Sequence, residues 1–303
     1  TSNNLVVLYG SVPIQMYSLQ INGIVYPVEW LSATSWSARC ALAPGVNAIA
    51  VTGLDADGNP IAGLGAGIQI TCAGAGQKPE GNVVISEIMH QPAAANAEYI
   101  ELFNASTNVA FDLAGFQLAG VGYTFEEGAV MPPLGRLLLV ENRAGFAAAY
   151  SNVAAVAGEY GGHLDNSGDR LRLLRIEATN EMVVDEVVYA SAPPWPSAAA
   201  GAGCSLQLID AARDRNRVGN WAADTHRLCT PGASNSVADS LPAFPLVWLN
   251  EIQPNNVSGL LDRMGEREPW IELFNADTVS VSLAGCYLTE SYSNLTQWAF
   301  PAC

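Results

Sequence analysis

AEYIELFNAST at residues 97–107 and EPWIELFNADT at residues 268–278 write I-E-L-F-N-A twice in one chain, each time with a glutamate inside an apolar frame, Glu101 and Glu272. Two glutamates held in a fold can do acid/base chemistry. A repeated apolar frame around one glutamate instead means that one structural unit occurs twice. The period of two along a strand places Tyr99, Glu101 and Phe103 on one face and Ile100, Leu102 and Asn104 on the other.

The frame extends in both directions. VVISEIMHQP at 83–92 corresponds to LVWLNEIQPN from Leu246, matching Glu87 with Glu251 and Ile88 with Ile252. Further on, Leu113-Ala114-Gly115 matches Leu283-Ala284-Gly285, Leu118 matches Leu288 and Phe125 matches Phe300. The second copy has a longer first hairpin, through NNVSGLLDRMGERE, and insertions belong in loops. A kept frame with a drifting offset is the mark of a duplicated domain. The second copy reaches Cys303 before anything matching RLLLVEN or DRLRLLR, so it is expected to be incomplete and the sequence to be a piece of something longer. Unpaired strand edges there predict mobility, self-association or completion by another chain.

Composition points the same way. Of 303 residues only 14% are charged, with 28 glycines and 17 prolines, a mixture that favours many short strands joined by turns. The expected class is all-β: tandem immunoglobulin-like β-sandwiches, the last one incomplete. A net charge of −16 opposes nucleic acid and anionic membrane faces alike. No run of about 18 apolar residues is present, and TSNNLVVLYG has neither a basic start nor a cleavable apolar core, so membrane insertion is not expected.

Residues 1–75 alternate strand-length apolar runs with turn signals, among them Asn22-Gly23 between Ile21 and Ile24, the pair a type I′ hairpin turn requires. They read as one immunoglobulin-like sandwich. Residues 76–81 read as a linker, 82–232 as a second sandwich interrupted by the helix-like RAGFAAAY at 143–150, 233–245 as another linker, and 246–303 as the start of a third sandwich. The six cysteines fall by position into Cys40 with Cys72, Cys204 with Cys229, and Cys286 with Cys303. Sequential pairing predicts one disulfide per domain and an oxidising compartment; the other reading is reduced, buried thiols.

The order [IL]-[SN]-E-[IM], then [YW]-I-E-L-F-N-A, D-L-A-G-F-Q-L, Y-T-F-E-E-G and L-D-N-S-G-D-R-L-R-L-L-R resembles the lamin tail domain family, an immunoglobulin-like β-sandwich. The resemblance runs from about Asn82 to Asp224, and in part from Leu246 to Cys303. With PPWPSAAAGAGCSLQLID, RVGNWAAD and LPAFPLVWLNEIQPNN, the whole string is similar to bacterial secreted or surface proteins in which such domains accompany a CotH-type kinase domain. No kinase-like catalytic motif is present. The resemblance implies non-catalytic modules of an extracellular protein.

Candidate sites are few. Glu101 and Glu272 read either as carboxylates of raised pKa or as structural glutamates bonded to backbone or to an arginine. Asp55, Asp57 and Asn59, and likewise Asp165 and Asp169, alternate side-chain oxygens around a glycine as a calcium loop does, or simply form turns. Trp195, in Pro193-Pro194-Trp195-Pro196, is expected in an exposed loop offering a flat apolar face to a partner or a sugar ring, with Trp221 and Trp270 beside it; the other reading puts these tryptophans in sandwich cores. Arg213, Arg215 and Arg217 read as a solvated loop. There is no G-x-S-x-G elbow, no C-x-x-C and no phosphate loop, so an enzyme is not expected, nor any cofactor other than calcium. The leading expectation is a spacer and interaction platform whose partners are other protein domains or subunits. Alternatives are carbohydrate or cell-wall binding, and an accessory role to a catalytic domain outside this chain.

Overall fold

The computed structural model describes residues 1–303 except 75, 152–155, 178–179, 244, 292–293 and 302–303. Among the described residues the structure is all-β apart from one short helix and two 3-10 turns. It divides into two compact units, Thr1–Leu241 and Pro242–Cys303. Among the described residues no helix is long and apolar enough to cross a membrane.

The first unit opens with strands β1 (Leu5–Ser11), β2 (Ser18–Ile21), β3 (Ile24–Tyr26), β4 (Glu29–Trp30), β5 (Ser35–Ala41), β6 (Gly45–Leu54) and β7 (Pro60–Cys72). They form two antiparallel sheets, β1-β5-β4 and β3-β2-β6-β7. The β2–β3 hairpin turns where the sequence predicts: Asn22 and Gly23 have φ of 53° and 85°, the left-handed values a type I′ turn needs. Leu19, Ile21, Trp36, Ala38 and Ile49 meet between the sheets, the layered burial of an immunoglobulin-like sandwich.

A second sandwich follows in the same unit. Its strands are β8 (Val83–Met89), β9 (Tyr99–Asn104), β10 (Phe111–Asp112), β11 (Gln117–Ala119), β12 (Tyr123–Thr124), β13 (Val130–Met131) and β14 (Arg136–Val140). Helix α1 (Arg143–Ala149) leads to β15 (Val156–Glu159), β16 (Gly168–Glu177), β17 (Asn180–Ala190), β18 (Leu206–Leu208) and β19 (Trp221–Ala222). The sheet β15-β14-β9-β8-β18-β19 faces the sheet β12-β11-β16-β17. Ile85, Ile88, Ile100 and Leu102 from the first meet Leu118, Leu171, Leu173 and Val187 from the second in one core. Each such side chain is worth roughly 1.5–3 kcal/mol of burial, so this core outweighs any surface contact nearby.

The predicted alternation along β9 holds. Ile100 and Leu102 enter the core, whereas Tyr99 turns to the outer side of the sheet and packs with Met89, Leu138, Val140 and Phe146. Helix α1 supplies that outer cover. Asn142 caps it by accepting from the Gly145 amide at 2.9 Å, and the helix aims Phe146 at Tyr99. Strand β8 is therefore buried along its whole length, on both faces.

The stretch 76–81, expected as a linker, is fixed to the second sandwich. Ser106 Oγ donates to Gln77 Oε1 at 3.0 Å, Asn82 Nδ2 donates to the Lys78 carbonyl at 2.8 Å, and Glu80 pairs with Arg175 at 2.7 Å. The two sandwiches also grip each other directly. Asn4 donates to the Ala110 carbonyl and accepts from the Ala110 amide, both at 2.8 Å, mimicking a strand pairing with one side chain.

Neither Cys40 with Cys72 nor Cys204 with Cys229 forms a disulfide, and the expected pairing of Cys286 with Cys303 falls outside the described residues. Cys40, Cys72, Cys204, Cys229 and Cys286 are free thiols, and Cys303 lies outside the described residues. Cys40 is engaged with the Tyr26 hydroxyl and Cys229 with that of Tyr99, so each sulfur is spent on a local polar contact within its core. Cys40 and Cys72 share one buried cluster and Cys229 lies within electrostatic reach of Cys204, so the spacing identified neighbours in the fold, and they remain thiols.

The second unit holds two hairpins, β20 (Val247–Gln253) with β21 (Trp270–Asn275), and β22 (Tyr287–Leu288) with β23 (Trp298–Ala299). The repeat is kept down to individual hydrogen bonds. Asn104 Nδ2 donates to the Val109 carbonyl and Asn275 Nδ2 to the Val279 carbonyl, each at 2.8 Å. The Ala105 amide bonds to the Asn82 carbonyl and the Ala276 amide to that of Leu246. Gly115 and Gly285 turn at φ of 76° and 79°, conformations that favour glycine.

Candidate functional site

The two glutamate pairs sit at a matched irregularity. Strands β8 and β9 pair antiparallel, but their register shifts between Ile85 and Glu87, so Ser86 is the extra residue of a bulge. The shift brings Glu87 opposite Glu101. In the second unit it recurs between Leu249 and Glu251, with Asn250 as the extra residue and Glu251 opposite Glu272. The bulge residue supports the glutamate in both copies: Ser86 Oγ donates to Glu101 Oε1 at 3.0 Å, and Asn250 Nδ2 donates to Glu272 Oε1.

In the second sandwich both carboxylates are sealed from solvent, at 0% exposure for Glu87 and Glu101 alike. A buried charge needs partners, and each oxygen has them. Glu87 Oε1 accepts from the Tyr99 hydroxyl at 2.6 Å, the Ser205 hydroxyl at 2.5 Å and the Thr230 amide at 2.7 Å. Its Oε2 accepts from the Thr230 hydroxyl at 3.0 Å. Glu101 Oε2 accepts from the Gly232 amide at 2.6 Å. Arg136 Nε lies 3.1 Å from Glu101 Oε1, an ion pair in which the N–H is not aimed as a hydrogen bond, and its guanidinium stacks over the Phe103 ring at 4.4 Å.

Two of these partners, Thr230 and Gly232, belong to one segment. Residues 228–236, reached from β19 by a loop, cross the outer side of the sheet as a strap. Asn235 Nδ2 donates to the carbonyls of Ser86 and Leu208, both at 2.8 Å, and Ser236 gives its amide to Gln207 Oε1 at 2.8 Å. Glu87, Glu101 and the bulge carbonyl thus form a row of acceptors, and the strap brings the donors. On the core side Asp185 Oδ2 accepts the Ile85 amide beside the bulge at 2.7 Å while its Oδ1 holds Arg215 at 2.7 Å. Arg215, expected in a solvated loop, is half of a partly buried ion pair.

Burial, and then the neighbouring Glu87 charge, push the Glu101 carboxyl up to about 8; the Gly232 amide, Arg136 and Ser86 pull against this. The Cys229 thiol, on the same strap, is pushed up to about 11 by burial first and Glu87 second. A raised carboxyl pKa suits a general acid, but a general acid must reach a substrate. Every oxygen here faces protein, so the arrangement clamps a segment and offers no room for a reacting group.

The remaining candidates separate. Trp195 is buried at 9% exposure and packs against Trp221, ring centroids 6.2 Å apart, both inside the main core. The exposed, sugar-facing loop is corrected: the indole is too large an apolar surface to leave in water when a core lies beside it. Trp221 Nε1 is spent on the Arg215 carbonyl at 2.8 Å. Asp55 Oδ1 accepts the Asp57 and Asn59 amides at 2.9 and 2.8 Å, and Asp165 Oδ1 accepts the Ser167 amide at 2.7 Å, the bonds of Asx turns. Asp169 Oδ1 bonds the Arg170 amide. Among the described residues no three His, Cys, Asp or Glu side chains gather as metal ligands. Glu272 and Glu251 are exposed. A cleft of about 740 Å³ between the two sheets of the first sandwich has no carboxylate, imidazole or thiol among its lining residues.

Sequence reasoning found Glu87 and Glu101 but missed Ser205, Thr230, Gly232 and Asn235. The strap was divided between the end of the second domain and a linker, because Pro231-Gly232 looks like punctuation. Within the described residues the strap has no second copy, so the repeat could not flag it.

Residues 76–191 match the family model described as Lamin Tail Domain. No curated protein and no solved structure matches the chain. The matched segment includes both glutamates and Arg136 but ends before Ser205 and the strap.

Proposed function

We propose, from a lamin tail-type sandwich at residues 76–191, that this chain is a set of non-catalytic structural and interaction modules. The observation that carries this reading is the closure of the paired carboxylates. Glu87 and Glu101 are completely buried and saturated by donors from the chain itself. The lamin tail type is a non-catalytic, immunoglobulin-like domain type, and the apolar cleft of the first sandwich has no carboxylate, imidazole or thiol in its lining. The firm grip between the first two sandwiches suits a spacer that holds its surfaces in a fixed relation.

Display outside the cell belongs to the same proposal. It rests on the similarity of the domain string to bacterial surface proteins and on an acidic, charge-sparse composition.

The test is a paired measurement on Glu101→Gln and the parent chain. The expected result is a change in melting temperature with no gain or loss of turnover across glycosidase, esterase and peptidase substrates. Turnover by the parent that Glu101→Gln abolishes while its fold persists would overturn the reading. Titrated with cell-wall glycans, Trp195→Phe and the parent should show the same fluorescence response, because Trp195 lies inside the core.

A further inference from the structure

The joint between the first two sandwiches encloses a cleft of about 660 Å³, within the roughly 300–1,000 Å³ range of clefts that hold ligands. One wall carries Tyr17, Val25 and Trp30 from the first sandwich, and the other Phe125, Glu126 and Glu127 from the second. Both walls are interior stretches of the sequence. Gly128 packs onto Pro27 and Tyr26 so closely that no side chain would fit there, which holds the walls in a fixed relation.

The two walls ask for one kind of occupant. Tyr17, Val25 and Trp30 are 70%, 55% and 42% exposed, an apolar surface of the sort that marks interaction sites when polar groups rim it. Glu126 and Glu127, from the Y-T-F-E-E-G stretch, supply that rim, and among the described residues neither has a hydrogen-bond or ion-pair partner. Glu127 acts across the joint: the Tyr26 hydroxyl is held above its ordinary range by burial first, then by Cys40, Asp112 and Glu127. Elsewhere in the molecule, an aromatic face and a carboxylate already hold a guanidinium. Arg136 lies over the Phe103 ring at 4.4 Å with its Nε 3.1 Å from Glu101. A lysine ammonium can meet a carboxylate but has no plane to lay on a ring. With 29 acidic residues against 13 Lys and Arg, the chain draws cations toward the cleft and has few of its own to fill it.

We propose that this cleft is the docking site for an arginine-bearing segment of a partner polypeptide. Its guanidinium groups stack on Trp30 and Tyr17 and pair with Glu126 and Glu127, and its apolar side chains cover Val25. The aromatic faces supply affinity, and the carboxylates select the planar cation and fix its orientation. The proposal rests on the reading of the chain as an interaction module and deepens it, naming the surface and the partner class.

The test uses the full chain and a fluorescein-labelled peptide, Gly-Ser-Arg-Val-Arg-Val-Ser-Gly, whose arginines share one face when extended. Saturable binding by fluorescence anisotropy is expected. Glu126→Gln and Glu127→Gln together should weaken it at least tenfold, whereas Glu181→Gln, exposed on β17, should change it less than twofold. Trp30→Ala should weaken it about threefold or more, and Trp30→Phe, which keeps an aromatic face, should lose less. Exchanging both arginines of the peptide for lysine leaves the protein untouched and should also weaken binding about threefold. No saturable binding, equal binding of the arginine and lysine peptides, binding unchanged by the two glutamine substitutions, or displacement of the peptide by a neutral cell-wall glycan would each overturn the proposal. None of these results would open Glu87 and Glu101 to solvent, and turnover abolished by Glu101→Gln would leave peptide binding intact, so a failure here is distinct from a failure of the non-catalytic reading.

Discussion

Thr230 gives both of its donors to one carboxylate: its amide bonds to Glu87 Oε1 at 2.7 Å and its hydroxyl to Oε2 at 3.0 Å. One strap residue thereby satisfies both oxygens of a glutamate that the sheet buries completely. The pairing ties two segments that lie far apart in sequence, and it gives the clamp a handle for mutation.

Thr230→Val keeps the shape and the amide but removes the hydroxyl, leaving Glu87 Oε2 buried without that donor. The expected loss is about 1–3 kcal/mol, read from urea unfolding. Ala233→Ser, at an exposed position on the same strap, should change stability by less than about 0.5 kcal/mol. Equal effects at the two positions would mean that the clamp carries no special weight.

Glu101 makes the fold sensitive to alkali. Its carboxyl is raised to about 8 by burial and by Glu87, so the folded state holds a proton that the unfolded chain gives up near 4.5. That contribution is complete below pH 4.5 and is lost as pH rises through 8. The melting temperature should fall across this window, and Glu101→Gln should flatten the fall. A parallel decline in parent and variant would assign the effect elsewhere.

His90 acts in the opposite direction. It is fully buried against Tyr189, neither ring nitrogen has a hydrogen-bond partner, and burial lowers its pKa to about 4 from an ordinary 6.5. The unfolded chain then takes up the proton first. Stability is complete above pH 6.5 and declines toward pH 4, by about 3 kcal/mol at roughly 1.4 kcal/mol per unit. His90→Phe should remove this acid sensitivity in thermal melts from pH 7 to pH 4.

The thiols should be slow to react. Burial raises Cys40, Cys204 and Cys229, and Cys72 is buried as well. Native protein at pH 7.5 should leave all four unmodified by an aromatic disulfide reagent, and denaturant should expose them. A non-reduced digest joining Cys40 to Cys72 or Cys204 to Cys229 would contradict free thiols.

The frame was legible because strand periodicity and turn chemistry are local. Asn22-Gly23 specifies its hairpin within four residues, and Ile100 and Leu102 declare their face by alternation. The clamp was legible by half. Glu87 and Glu101 stood out because they recur, whereas their donors arrive from Ser205, Thr230 and Gly232, where no short-range pattern announces a contact with β8 or β9. Trp195 misled for a related reason. Its flanking prolines describe the backbone correctly as non-ladder, but the destination of the indole depends on Trp221, beyond any local window.

The strap also sets how the chain answers a mechanical pull. Tension applied from the C-terminal side meets Leu241 first, held by Asp210 through its amide and by Arg213 through its carbonyl. Next in line are Asp239 on Ile209, Ser236 on Gln207 and Asn235 on Ser86. Gly232 on Glu101 and Thr230 on Glu87 come last. The bonds are loaded one after another, so the segment peels as a zipper does, and its final teeth are the two buried carboxylates.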